Sequence, residues 1–141
     1  MLCNYRYFQN YSLNLYLCYH KKKLTTEDLK ETNNTQQAIQ MPRIGDQAPD
    51  FEAVTTTGKM KMSEFAPDKW TVMFSHPADF TPVCTTEMSG FAVRKKEFEA
   101  LNTELLGLSI DSIHSHIGWV DSVKQNTGVY MDFPIIADID M

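Results

Sequence analysis

The sequence predicts an α/β fold in which a central, mostly parallel sheet carries flanking helices and an N-terminal β-hairpin. From residue 41 onward, short apolar runs of strand length alternate with segments whose apolar residues recur at helical spacing. Each predicted helix also links two strands as a crossover, and crossovers of this kind join parallel strands with right-handed connections. The predicted order of elements is β-β-β-α-β-α-β.

The hairpin and the first central strand are the earliest elements of this pattern. Residues 51–54 read as a strand, Thr57 and Gly58 as a turn, and residues 59–62 alternate Lys and Met with a period of two. Residues 70–75 form a continuous apolar run, which is typical of a strand buried on both faces of a sheet.

Two crossover helices follow. The first is predicted to begin near Pro82 with Thr81 as its N-cap, and its buried face is expected to carry the apolar residues Met88, Phe91, Ala92, Phe98 and Leu101. The second opens at Asp111 and Ser112 and ends within residues 126–128; its expected buried residues are Ile113, Ile117, Val120 and Val123. Residues 105–110 and 133–137 supply the remaining strands.

Charge and hydropathy exclude two classes of partner. Residues 1–40 carry five basic and three acidic side chains, a net charge of +2, whereas residues 41–141 carry eight and fifteen, a net charge of −7. An acidic body lacks the basic face that neutralises nucleic-acid phosphates. No apolar run reaches the length of a membrane-spanning helix, so no membrane span is predicted.

Residues 1–40 differ in character from the rest of the chain. Five of the six tyrosines fall within the first nineteen positions, and residues 32–37 offer nothing apolar to bury. A secretory signal is disfavoured because Asn14 breaks the apolar stretch and no small-residue cleavage site follows it. We therefore predict a disordered extension over residues 1–40 and a single folded domain over residues 41–141.

The three cysteines, Cys3, Cys18 and Cys84, are odd in number and widely spaced. This pattern does not indicate a disulfide framework, and it favours a reducing, cytoplasmic compartment. No metal site is predicted, because there is no C-x-x-C pair and the histidines lack zinc-ligand spacing. His114 and His116 are two residues apart on a helix, so we expect them to face different sides as surface residues.

Cys84 is the strongest candidate for chemistry. It falls in the first turn of a predicted helix, directly after a buried strand, at the edge where α/β folds place their sites. Unpaired N–H groups and the positive end of the helix dipole favour a thiolate there. The alternative is a buried structural cysteine, which is the commonest state of a free cysteine.

The stretch "HPADFTPVCTTE" at residues 76–87 carries a specific resemblance. Pro77, Thr81 and Cys84 match the P-x-x-x-T-x-x-C signature of the peroxiredoxins, and the wider stretch resembles their 1-Cys, or peroxiredoxin-6-type, branch. The resemblance extends through "GDQAPDFEA", "SIDS", the region of Trp119 and "FPIIAD". It implies a thioredoxin-like fold for residues 41–141, a domain of the AhpC/TSA type.

The resemblance also implies an activity and roles for the site residues. Cys84 would attack the O–O bond of hydrogen peroxide or of an organic or lipid hydroperoxide, and an external thiol such as glutathione would restore it, without a bound cofactor. Thr81 would hydrogen-bond the peroxide, the Pro77 loop would enclose it, and Glu87 would orient a family arginine. His76 either lines the pocket or is a plain packed histidine.

Two further expectations concern how much of the family pattern is present. The family's activating arginine lies downstream of "FPIIAD", and the sequence ends at Met141, so we expect an incomplete domain with weakened activity. Lysine stands at position 69, where the acyl-hydrolase members of the branch carry a serine, so phospholipase activity is not predicted. The branch also implies a homodimer. The competing hypothesis is a truncated, catalytically weak protein that acts in redox sensing or by association.

Overall fold

The computed structural model describes residues 17–20 and 43–139. A short strand, β1 (Leu17–His20), pairs antiparallel with the first central strand. For these four residues a strand replaces the expected disorder. The rest of residues 1–40, and the predicted start of the domain at residue 41, lie outside the described residues.

Within residues 17–20 and 43–139 the sheet has six strands. The strands after β1 are β2 (Glu52–Thr55), β3 (Gly58–Lys61), β4 (Trp70–Ser75), β5 (Thr103–Ser109) and β6 (Ile135–Ala137). Their order in the sheet is β1-β4-β5-β6-β2-β3. Three central strands run parallel to one another, and the outer pairings are antiparallel. The predicted α/β class is therefore confirmed, and the five strands expected along the chain are all present as β2 to β6, with boundaries that differ by at most two residues.

The helices are α1 (Met62–Phe65), α2 (Pro82–Val93), α3 (Lys95–Ala100) and α4 (Ile113–Thr127). The sequence analysis missed the single turn α1 and treated α2 and α3 as one helix. The break falls at Arg94, whose backbone N–H is shared between the carbonyls of Gly90 and Phe91. After the break, Leu101 is 72% exposed instead of buried.

Helix α4 starts and ends where the sequence predicts, and it buries Val120 and Val123 as expected, but its buried stripe continues through Trp119 and His116 and not through Ile117. His116, Trp119, Val120 and Val123 are its buried residues, and their spacing of 3, 1 and 3 is that of one helical stripe. Ile117, expected on that stripe, is 46% exposed. The prediction for Ile117 was wrong because the buried stripe passes through the neighbouring His116, a polar residue that the apolar pattern did not include.

Neighbouring residues of β5 bury their side chains on opposite faces of the sheet. Leu105 belongs to the larger core cluster, which includes Phe74 and Trp119 and receives α2 and α4. Leu106 belongs to a smaller cluster with Met62 and Ile136 on the other face. The larger cluster lies beneath the start of α2, so the core directly supports the candidate site.

Among the described residues, no helix combines the length and hydropathy that crossing a membrane requires.

Candidate active site around Cys84

Cys84 lies where the sequence places it, in the first turn of α2 at the end of the loop that leaves β4. The parallel pairing of β4 with β5 puts this loop at the carboxyl edge of the sheet. The side chain of Cys84 is only 4% exposed and packs in the cluster that contains Phe74, Met88 and Trp119. Cys84 thus combines the helix-start position expected of a reactive cysteine with the burial expected of a structural one.

Thr81 occupies the N-cap position of α2, but it makes no side-chain cap. Its hydroxyl instead donates to the carbonyl of Ala78, at 3.0 Å, within the preceding loop. Thr81 therefore does not satisfy the first-turn N–H groups of Val83 and Cys84 with its side chain. Such groups are suited to binding an anion.

Thr85 braces the start of the helix against α4. Its hydroxyl donates to the carbonyl of Thr81, at 2.7 Å, and accepts from the indole Nε1 of Trp119, at 3.1 Å. The first turn of α2 is thereby tied to a buried aromatic side chain one helix away. This brace limits how far Cys84 can move relative to the core.

The loop before α2 contains a bulky residue in an unusual backbone conformation. Phe80 has φ of 58°, in the left-handed region, and its side chain is largely exposed. Bulky residues seldom adopt this conformation, and such strain clusters at functional sites. Pro77, on the same loop, is also exposed, so the peroxide-enclosing role expected for it stays a prediction.

A buried hydrogen-bonded group, His76–Asp79–His116, lies behind the loop. The carboxylate Oδ1 of Asp79 is 2.8 Å from Nε2 of His76, and Oδ2 is 2.8 Å from Nδ1 of His116. The other nitrogen of His116, Nε2, is 3.2 Å from the carbonyl oxygen of Ile136 in β6. His116 is fully buried, so the expectation that it is a surface residue was wrong, whereas His114 is exposed as expected.

The carboxyl of Asp79 is held in its ionised form. Burial by itself raises the pKa of Asp79, but the hydrogen bonds from His116 and His76 outweigh burial and lower the pKa well below its usual value. Asp79 is therefore a buried anion immediately behind the loop that leads to Cys84.

The same three side chains also have the composition of a metal site, because their candidate ligand atoms all lie within 4.8 Å of one another. In this structure the atoms pair with one another at hydrogen-bond distances.

His76 is buried, and its Nδ1 has no hydrogen-bond partner among the described residues. Its ring lies 4.9 Å from that of Trp119, measured between centroids. His76 is therefore a buried histidine that packs against Trp119 and pairs with Asp79.

Glu87, expected to orient an arginine, is partly exposed and forms no ion pair within residues 43–139. Arg94 lies at the far end of α2 from Cys84. The expected role of Glu87 therefore stays a prediction.

Sequence reasoning missed Asp79 and the burial of His116. The two residues are 37 positions apart and meet only when α4 packs against the loop. The available signal was that His116 falls at helical spacing with Trp119, Val120 and Val123.

Comparisons with known proteins agree with this geometry. The profile of the AhpC/TSA family matches residues 44–141, which is more than half of the chain. The chain belongs to the AhpC/TSA family. The resemblance to peroxiredoxins noted at the HPADFTPVCTTE stretch is thereby confirmed at the level of the family.

Two curated relatives show how the similarity is distributed. A protein named Peroxiredoxin from Hyperthermus butylicus is 55% identical over 100 residues, covering 71% of this chain and 43% of the relative. Peroxiredoxin 1 of Caldanaerobacter subterraneus is 54% identical over 98 residues, covering 70% and 46%. The chain thus spans about half the length of the curated relatives it matches.

Solved structures with similar folds include proteins named 1-Cys peroxiredoxin and proteins named 2-Cys peroxiredoxin. A yeast mitochondrial 1-Cys peroxiredoxin is 49% identical with a TM-score of 0.66, over 70% of this chain and 46% of that one. Peroxiredoxin 6 of Arenicola marina is 42% identical with a TM-score of 0.61, over 64% and 42%. The 2-Cys peroxiredoxin of Plasmodium vivax is 29% identical with a TM-score of 0.60, over 67% and 62%. These likenesses confirm the thioredoxin-like fold class.

Proposed function

We propose that Cys84 is the peroxidatic nucleophile of a thiol peroxidase that reduces hydrogen peroxide and organic or lipid hydroperoxides. The observation that carries the proposal is the position of Cys84 in the first turn of α2, at a helix start that Thr81 does not cap, in a chain of the AhpC/TSA family. The Val83 and Cys84 N–H groups at this position suit the negative charge of a thiolate.

The reaction is a displacement at oxygen. The Cys84 thiolate attacks the terminal oxygen of R–O–O–H, an S–O bond forms, and the O–O bond breaks. Cys84 becomes a sulfenic acid, and the alkoxide or hydroxide that leaves takes a proton from water. Thr81 already donates its hydrogen to Ala78, so its hydroxyl oxygen is free to accept a hydrogen bond from the peroxide O–H.

We propose a one-cysteine cycle with an external reductant such as glutathione. The stretch HPADFTPVCTTE around Cys84 resembles the 1-Cys branch of the family. One thiol would convert the sulfenic acid into a mixed disulfide with release of water, and a second thiol would release the Cys84 thiol. The likeness to the yeast 1-Cys peroxiredoxin and to the Arenicola marina Peroxiredoxin 6 supports this choice.

A homodimer and a cytoplasmic location accompany this proposal as predictions. The homodimer follows from the branch that the sequence resembles. The cytoplasmic location follows from the odd number and wide spacing of the cysteines, which do not indicate a disulfide framework. Size-exclusion chromatography with light scattering tests the homodimer.

The competing function is a weakly reactive redox-sensing or interaction protein. The observation that favours it is the burial of Cys84, which limits access to the sulfur. The two functions differ in one measurable quantity, the rate at which peroxide consumes the thiol.

The experiment uses the full chain with Cys3 and Cys18 both changed to serine, so that Cys84 is the only thiol. Hydrogen peroxide is added with dithiothreitol as the reductant, and peroxide loss is followed together with sulfenic-acid trapping by dimedone and mass spectrometry. We expect catalytic peroxide loss and one trapped adduct, located on Cys84. The matched control adds Cys84→Ser and should abolish both signals. Equal peroxide loss in the two variants would refute the proposal.

A further inference from the structure

We propose that His76, Asp79 and His116 form a binding site for one divalent transition-metal ion, with Zn²⁺ as the best match to the ligand set. The ion joins the loop that leads to Cys84 to helix α4, so its role is structural. The site is independent of the proposed peroxidase function, because none of its three side chains is assigned a step in that reaction.

The three side chains supply ligand types that Zn²⁺ takes in proteins. They are two imidazoles and one carboxylate, and their candidate ligand atoms all lie within 4.8 Å of one another. Nε2 of His76 lies 2.8 Å from Oδ1 of Asp79, and Nδ1 of His116 lies 2.8 Å from Oδ2. Each carboxylate oxygen therefore faces a different imidazole, and four ligand atoms come together in one place.

The spacing of these atoms is close to that of ligands on a single ion. Two atoms that are each about 2.1 Å from an ion lie about 3.0 Å apart when they are at a right angle and about 3.4 Å apart at the tetrahedral angle. The two nitrogen–oxygen contacts of 2.8 Å need to lengthen by only a fraction of an ångström to reach these values. Small rotations of the side chains are enough for this change.

His116 makes the outer contact that is typical of a metal-bound histidine. Its Nε2 lies 3.2 Å from the carbonyl oxygen of Ile136, and a carbonyl oxygen can only accept, so this nitrogen donates its hydrogen. Histidine ligands usually donate their second ring N–H to a carboxylate or a backbone carbonyl, which turns the other nitrogen toward the ion. In His116 that other nitrogen is Nδ1, which faces Asp79.

The ring of His76 can change tautomer without losing a contact at its far nitrogen. Nδ1 of His76 is buried and has no hydrogen-bond partner within the described residues. When Nε2 binds an ion, the ring hydrogen lies on Nδ1. Because Nδ1 is unpartnered with or without that hydrogen, the change breaks no hydrogen bond there.

Burial distinguishes this group from a chance cluster on the surface. The side chains of His76 and Asp79 are each 1% exposed, and that of His116 is 0% exposed. A carboxylate in the interior needs a cation or hydrogen-bond donors, and a ligand set closed to solvent is typical of structural zinc sites. Asp79 lies in the loop and His116 in α4, so an ion bound here would fix the loop to the helix.

The first test supplies Zn²⁺ to the full chain during refolding, because three buried ligands admit an ion most readily before they close around it. After gel filtration, elemental analysis should give one zinc per chain, and zinc X-ray absorption should show nitrogen and oxygen neighbours at about 2.0–2.1 Å. Sulfur neighbours at about 2.3 Å would place the ion on cysteines and overturn the proposal. A chain that retains no zinc would also overturn it.

The second test uses a chain in which Cys3, Cys18 and Cys84 are all serine, so that neither thiols nor peroxidase activity contribute. Zn²⁺ present during refolding should raise its melting temperature, because an ion that binds only the folded state stabilises it. Asp79→Asn and His116→Gln each remove a ligand, so each should weaken zinc binding by more than the 10-fold to 100-fold, or about that, which loss of an outer contact costs. Unchanged affinity in both variants would contradict the site.

His114→Gln is the matched control, because His114 is exposed on the same helix, two residues from His116. This variant should keep both the zinc and the rise in melting temperature. If His114→Gln loses the ion and His116→Gln keeps it, the ion binds at the surface and the proposal is wrong. Circular dichroism of each metal-free variant checks its folding. Where a ligand variant does not fold, X-ray absorption of the unchanged chain decides the question.

Discussion

The two long crossover helices begin in opposite ways. At α4, the hydroxyl of Ser112 accepts a hydrogen bond from the backbone N–H of Ser115 at 3.2 Å, which is an ordinary N-cap. At α2, Thr81 stands in the corresponding place, yet its hydroxyl donates backward to Ala78. One helix start is satisfied by its own cap residue, and the other is not.

The difference separates stability from reactivity. The capped start of α4 fixes the helix that carries His116 and Trp119 into the core. The start of α2 leaves first-turn N–H groups beside Cys84 and is held in place by other contacts, chiefly the bond from Trp119 to Thr85. α4 thus provides the rigid support, and the uncapped first turn of α2 provides N–H groups that can bind an anion.

Matched substitutions at the two N-cap positions provide the sharpest test of this comparison. Thr81→Val should slow the reaction of Cys84 with hydrogen peroxide by about 100-fold, because it removes a hydroxyl that we expect to accept a hydrogen bond from the peroxide. Ser112→Ala should lower the unfolding free energy by about 1 kcal/mol and leave the rate unchanged. Rates from stopped-flow mixing and free energies from urea unfolding check both. Equal effects of the two changes on rate would break the comparison.

The buried carboxylate behind the α2 loop should make the protein sensitive to acid. Because the pKa of Asp79 is lower in the folded protein than its ordinary value of 3.8, Asp79 stabilises the fold above that value. This stabilisation is lost as pH falls from about 4 toward the folded pKa and amounts to on the order of 2 kcal/mol. Unfolding free energy measured against pH should fall over this range.

Asp79→Asn is the control for the acid effect. It should flatten the part of the pH dependence below about pH 4 while the far-UV circular dichroism spectrum stays native. An unchanged acid dependence in the variant would show that other carboxyl groups cause it.

Two glycines report how closely α2 and α4 are packed, Gly107 in β5 beneath α2 and Gly118 within α4. A Cβ on Gly107 in β5 would lie 3.2 Å from Cε of Met88 in α2 and 3.3 Å from Cγ1 of Ile135. Gly107→Ala should therefore cost about 1 to 3 kcal/mol of unfolding free energy. A Cβ on Gly118 in α4 would meet only Cζ of Phe80, at 3.9 Å, so Gly118→Ala should be neutral or stabilising by up to about 1 kcal/mol. Equal costs at the two sites would contradict the packing described.

A further small effect on stability is expected at the other end of α4. Gly128 closes the helix with φ of 74°, a left-handed conformation that favours glycine. Gly128→Ala should lower the unfolding free energy by about 1 kcal/mol without changing the reaction of Cys84. A larger loss, or a slower reaction, would mean that the end of α4 is coupled to the site.

The sequence predicted those parts of the fold whose signals are local. The run at residues 70–75 became β4 without a change of boundary, because a continuous apolar run suits a strand buried on both faces. The position of Cys84 at a helix start was also predicted, from the Pro82 that begins α2.

The parts that failed depend on contacts between distant residues. Asp79 in a Pro-rich loop and His116 on a helix each look like surface residues until the two are brought together. The break at Arg94 was missed because Phe91 and Phe98 keep an apolar pattern across it, and the pattern does not reveal where the backbone turns. The starts of α2 and α4 were located, but the direction of the Thr81 hydroxyl was not.

The most direct measurement of the central claim is the second-order rate constant for hydrogen peroxide with Cys84 near neutral pH, with free cysteine measured in the same buffer. An anion-stabilising helix start predicts that Cys84 reacts much faster, despite being only 4% exposed. A rate no higher than that of free cysteine would contradict the account and favour the weakly reactive alternative.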